Sequence, residues 1–186
     1  MFKYIIVLFF LFFLNSFSQS VDTLYRKVSL DGFLNLKWGA SKSEVKKELL
    51  KKAIFDGENA NKDLVFIDGL LGLNKVERWV CLFHDKKLAG IIITFDEITW
   101  DNLDKKIQDI KDNLDEKYGS ATTWDDDFSD NQISTKWIFF DISLKKSLAG
   151  ILLIVNKLPD YQPELVLTYY NTKLFDAKLN KSINEY

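Results

Sequence analysis

The sequence predicts an α+β domain: an antiparallel sheet built from two duplicated helix-plus-three-strand units, with the helices packed on one face. Three observations predict it. Residues 76–84 and 88–96 read as strands joined by the polar turn His84-Asp85-Lys86-Lys87, which makes an antiparallel hairpin. Leu103, Ile107, Ile110, Leu114 and Tyr118 form one apolar stripe at helical spacing. Arg78-Trp79-Val80 and Leu88-Ala89-Gly90-Ile91 are answered later by Lys136-Trp137-Ile138 and Leu148-Ala149-Gly150-Ile151. Strands in hairpins with helices set apart from them argue against alternating βαβ units.

The chain opens with an export signal. Lys3 is followed by an unbroken apolar run from Tyr4 to Leu14, which fits the apolar core of a secretory signal peptide. A spanning helix needs about 20 apolar residues, so this run is too short to anchor the chain. Ser16-Phe17-Ser18 places small residues where a signal peptidase inspects them. Residues 1–18 are therefore expected to be removed after Ser18, with Ser18-Gln19-Ser20 as the alternative site and no membrane anchor left behind. The only cysteine, Cys81, is far from the cleavage point, so no lipid attachment is expected there, and one cysteine makes no internal disulfide. The expected product is exported, in the periplasm or outside the cell.

Residues 19–34 form a polar lead-in that runs into a strand at Gly32–Trp38. Ser41-Lys42-Ser43-Glu44 matches a capping box. Val45 and Leu49 at helical spacing then extend a helix over about 42–52. Residues 56–62 read as a loop, Leu64–Ile67 as a short strand and Asp68-Gly69 as a turn. In the 76–84 strand, Trp79, Cys81 and Phe83 share one face by period-two counting. Leu88–Phe95 is apolar on both faces, so it is expected at the centre of the sheet with cover on both sides. The long helix is expected to start from a Thr99 or Asp101 cap and to end at Gly119. Strands follow at 121–125, 133–141 and 147–156, with an acidic loop at 125–131. Pro159 and Pro163 bracket a turn before a final strand at 164–170, and the tail 171–186 forms a short helix. The single domain spans 35–170, with pseudo-repeats at about 38–98 and 100–156.

Lys37-Trp38-Gly39, followed by Ser41-Lys42-x-Glu44-Val45, resembles the approach to the first helix in small exported bacterial domains. Leu114-x-x-Lys117-Tyr118-Gly119 resembles the way a helix ends in them. In architecture those domains are similar to the outer-membrane assembly lipoprotein of the BamE type and to the repeat of β-lactamase inhibitor proteins. The pattern covers about 35–170. It departs in lacking a lipid-attachment cysteine and the Gly-x-Pro that often follows the first helix. The resemblance implies a binding or scaffolding domain and names no partner.

No residue set reaches a specific chemistry. A net charge of −2 points away from nucleic acid. His84 is the only histidine, with no partner for a metal or a nucleophile and no nucleophile elbow in the chain. Cys81 lies on a core face and reads as a small hydrophobe. Asp125 to Asn131 is carboxylate-rich, but neither register matches the calcium-loop spacing. The lysines of the first helix read as a solvated face. No catalytic residue, metal or cofactor is expected.

Aromatic residues are in surplus, at 15% of the chain. Trp100, Trp124, Tyr161, Tyr169 and Tyr170 lie at element ends or beside polar residues and form the expected contact surface. The expected function is a non-catalytic exported interaction domain for a protein or envelope component, working through its sheet face or a sheet edge. A glycan-binding module and a carboxylate-based hydrolase are the alternatives.

Overall fold

The computed structural model describes residues 29–125, 132–141, 146–156 and 161–184. The expected signal peptide, residues 19–28 of the expected lead-in, most of the expected acidic loop and Pro159 lie outside the described residues. The chain is α+β. Strands β1 (Gly32–Phe33) and β2 (Leu36–Lys37) form a small hairpin, in place of the single strand expected over 32–38. The reason is geometric. A continuous strand would send Phe33 and Leu36 to opposite faces. Reversal at Leu34, whose φ is +52°, instead pairs them and buries both.

Helix α1 (Lys42–Leu49) starts as its sequence requires. The Ser41 hydroxyl accepts the Glu44 N–H at 3.4 Å, and the Glu44 carboxylate accepts the Ser41 N–H at 2.8 Å. Val45 and Leu49 are its buried residues. The expected 56–62 loop is corrected in part: β3 (Ile54–Glu58) is an edge strand, bulged between Phe55 and Gly57. Asp56-Gly57-Glu58 reads as turn chemistry, but α1 holds the segment in place. Lys42 pairs with Glu58 at 2.7 Å, and the Lys46 ammonium lies 3.6 Å from the centre of the Phe55 ring. Strand β4 (Leu64–Ile67) follows, then a short β5 (Leu70–Leu71) that folds onto the start of β6 (Asn74–His84).

Strands β6 and β7 (Lys87–Phe95) form the expected hairpin, closed by Asp85 and Lys86, both with positive φ. Two positive φ values match the right-handed twist of the paired strands. Helix α2 (Leu103–Tyr118) buries all five residues of its predicted stripe and ends at Gly119. Its start differs from the Thr99 or Asp101 cap. Asn102 occupies the cap position, and its side-chain oxygen accepts the Thr99 N–H, which braces the preceding turn. Strands β8 (Thr123–Asp125), β9 (Gln132–Asp141), β10 (Lys146–Asn156) and β11 (Glu164–Asn171) lead to a C-terminal helix, α3 (Thr172–Asn184).

The main sheet runs β3-β4-β6-β7-β11-β10-β9-β8, and every registered pairing is antiparallel. β7 and β11 lie at the centre, as the two-sided apolarity of β7 predicts. On one face, a continuous core joins Trp79, Cys81, Ile91, Tyr169, Ile151 and Trp137 to the stripes of α1 and α2. The two tryptophans keep their polar ends satisfied: Trp79 Nε1 donates to the Asp68 carbonyl, and Trp137 Nε1 to the Asp115 carboxylate. Helix α3 corrects the expectation of helices on one face, because it packs on the other. Its Phe175 ring lies 5.2 Å from that of Tyr170, whose strand neighbours in register are Gly90 and Gly150.

Candidate interaction surface

The aromatic residues singled out by sequence do not gather in one place. Tyr169 and Tyr170 are consecutive on β11 and so face opposite sides of the sheet. Tyr169 is buried at 6% exposure, its ring 4.6 Å from that of Phe33, so it does not join an exposed aromatic surface. Tyr170 is half-buried between Gly150 and Phe175. Burial and the nearby Asp176 push its hydroxyl pKa up. Trp100, before α2, is exposed. Tyr161 is exposed on the wall of a cleft of about 540 Å³ that it shares with Glu77, Asp96, Glu97 and Glu164. Trp124 sits on β8, and its side chain lies outside the described residues.

Cys81 is buried, and burial, with a contribution from Asp63, pushes its thiol pKa well up, which suppresses the thiolate. His84 Nε2 lies 3.4 Å from the Asp85 carboxylate at the β6–β7 turn. Among the described residues, no three His, Cys, Asp or Glu side chains gather in a way that could hold a metal ion. No described helix is long and apolar enough to cross a membrane.

One surface breaks the ordinary pattern of a solvated sheet face. On the side opposite the main core, the register lines residues up in ranks across the strands. The first rank is Ile138, Gly150, Tyr170, Gly90 and Leu82. Helix α3 lies over it. Phe175 abuts the space above Gly90, and the Lys178 ammonium reaches the Asp63 carboxylate at 2.6 Å and the Phe83 carbonyl at 3.2 Å. Asp63 is 1% exposed and also accepts the Phe83 N–H, so this ion pair pins the far end of the contact.

Among the described residues, the next two ranks have no such cover. One runs Lys136, Leu152, Thr168, Ile92, Val80, Val65; the other runs Ser134, Ile154, Val166, Thr94, Arg78, Ile67. Leu152, Ile92, Val80, Val65, Ile154, Val166 and Ile67 are all partly exposed. A face meant only for water carries polar residues at these alternate positions. Here seven of the twelve positions are aliphatic, and the others are Ser134, Thr94, Thr168 and the cations Lys136 and Arg78. Sequence inspection expected a sheet face or edge without naming its residues, and the cover it expected on both sides of β7 is met by α3 over Gly90, while Ile92 stays partly exposed. No protein-family model, curated protein or solved structure matches the chain.

Proposed function

We propose that the protein is an exported, non-catalytic binding domain that docks a protein partner on the open part of its second sheet face. The observation that carries this is the pair of aliphatic ranks beyond α3. Contiguous exposed apolar surface on a soluble domain marks an interaction site. A protein fits better than a glycan. The surface is aliphatic, whereas sugars stack on aromatic rings, and the exposed Trp100 and Tyr161 belong to other segments. The cations Lys136 and Arg78 call for a partner whose apolar strip is flanked by carboxylates. Export follows from residues 1–18, and a mature chain beginning at Gln19, read by N-terminal sequencing, is the expected outcome.

Two features favour descent of the domain from a duplicated unit, with four strands in the unit in place of three. Four residues separate α1 from β3 and α2 from β8, and β6 and β10 are equally long at 11 residues. In that reading β6 corresponds to β10 and β7 to β11, so the shared Trp and Leu-Ala-Gly letters on β6–β7 and β9–β10 are offset by one strand.

The test is affinity capture with the purified domain and with an Ile92→Lys/Ile154→Lys variant, followed by reconstitution with the identified protein alone. A partner that binds the wild type at least about tenfold more tightly supports the proposal, since burying an unpaired charge costs more than 1.4 kcal/mol. A captured oligosaccharide, or a protein held equally by both forms, overturns it.

A further inference from the structure

A second concavity lies on the other side of the sheet, between α2 and the β5–β6 turn. Its volume is about 690 Å³, within the range of small-molecule sites. Phe95, Ile110, Leu114, Leu167 and Tyr169 give it an apolar floor, and Asp109, Asp112 and Lys117 stand among the polar residues of its lining. Lys106, from α2, donates to the Asn74 side chain at 3.2 Å and ties the helix to the turn.

Two independent features of this cleft have no account within the folded chain. Tyr169 is 6% exposed, yet its hydroxyl makes no hydrogen bond to any described residue. A buried hydroxyl without a partner costs about 1–3 kcal/mol, so nearly all of them find one. Burial, with a smaller contribution from Tyr118, holds the hydroxyl in its neutral form, able to donate or accept. Leu73, at the tip of the turn and in the lining of the cleft, is 97% exposed. A leucine held out to water beside an apolar cleft fits a side chain that closes onto an occupant.

We propose that this cleft binds a small neutral ligand with an apolar body and one oxygen that hydrogen-bonds the Tyr169 hydroxyl. The apolar body would lie between Leu73 and the floor formed by Ile110 and Leu114. An anion is disfavoured because Asp109 and Asp112 outnumber Lys117 among the charged groups of the lining, and the apolar floor with its neutral hydroxyl suits an uncharged oxygen. The site is separate from the face proposed for the protein partner and stands or falls on its own.

The probe is Nile red, a neutral apolar dye that carries a carbonyl, titrated against the intact domain and displaced in turn by decanol and decanoate. The expected result is saturable binding, with decanol the better competitor. Tyr169→Phe keeps the ring and should leave the fold intact while weakening the probe about five- to tenfold, the loss of one hydrogen bond. Leu73→Ser, on the surface, should weaken it several-fold. Ile92→Lys, on the opposite face, should leave it unchanged. Absence of saturable binding overturns the proposal, as does stronger displacement by decanoate. So does a Tyr169→Phe variant that binds as the wild type does, which would leave the hydroxyl served by water only. Loss of binding in Ile92→Lys alone would place the probe on the other face and refute the site.

Discussion

Asp63 decides how firmly the second face is organised. It comes from the loop before β4, is 1% exposed, and meets Lys178 from the far end of the chain. Removing one partner of a buried pair strands the other, which typically costs about 3–5 kcal/mol. Lys178→Met leaves the carboxylate buried and should approach that loss in urea unfolding. Asp63→Asn should cost clearly less, because the lysine, at 15% side-chain exposure, can turn its head to water. Equal losses from the two would contradict this reading of the pair. Cys81 supports a second prediction at this scale. Because burial raises its thiol pKa, native protein at pH 8 should resist iodoacetamide and react only as fast as the chain unfolds. Rapid labelling of folded protein would refute its burial. Neither the Asp63–Lys178 pair nor the burial of Tyr169 was legible in the sequence. The pair spans 115 positions, and which of two adjacent tyrosines faces the core depends on a register that the letters Thr168-Tyr169-Tyr170 do not reveal.

At the scale of elements, legibility followed how much of the signal was local. The α2 stripe, the capping box of α1 and the β6–β7 hairpin are each specified within a few residues, and each formed as read. Strand β3 was missed because Asp56-Gly57 looks like a turn, while its place at the sheet edge depends on β4 and on the lysines of α1. The side chosen by α3 was equally hidden. It depends on two glycines in different hairpins that leave room for Tyr170: a Cβ at Gly150 would lie 2.3 Å from the Tyr170 hydroxyl oxygen. Gly150→Ala should therefore displace Tyr170, loosen α3 against the sheet and cost about 1–3 kcal/mol, the usual price of overpacking. Hydrogen exchange should show the loosening as lost amide protection in α3 while α2 stays protected. The start of α1 supplies a pH test. Bonds from Ser41 hold the Glu44 pKa below its usual value, so its contribution is present above the ordinary carboxylate range and fades as pH falls through the depressed value. Amide protection in α1 should fall in acid, and Glu44→Gln should flatten that dependence.

Across the whole molecule, one sheet serves two environments. Its first face packs against α1, α2 and the β1–β2 hairpin around Trp79 and Trp137, and among the described residues its second face is covered only where α3 crosses the Gly90–Gly150 rank. The remaining ranks are mostly aliphatic and yet stay partly exposed, and the proposed partner would complete their burial. The most direct measurement places a photo-crosslinking residue at Ile154, or at Asp104 on the exposed side of α2 as a control, in the full-length chain in cells, and identifies the adducts by mass spectrometry. One protein, crosslinked from Ile154 and not from Asp104, is the predicted result. No protein adduct at Ile154, or the same adducts from both positions, would contradict a docking surface on the second face.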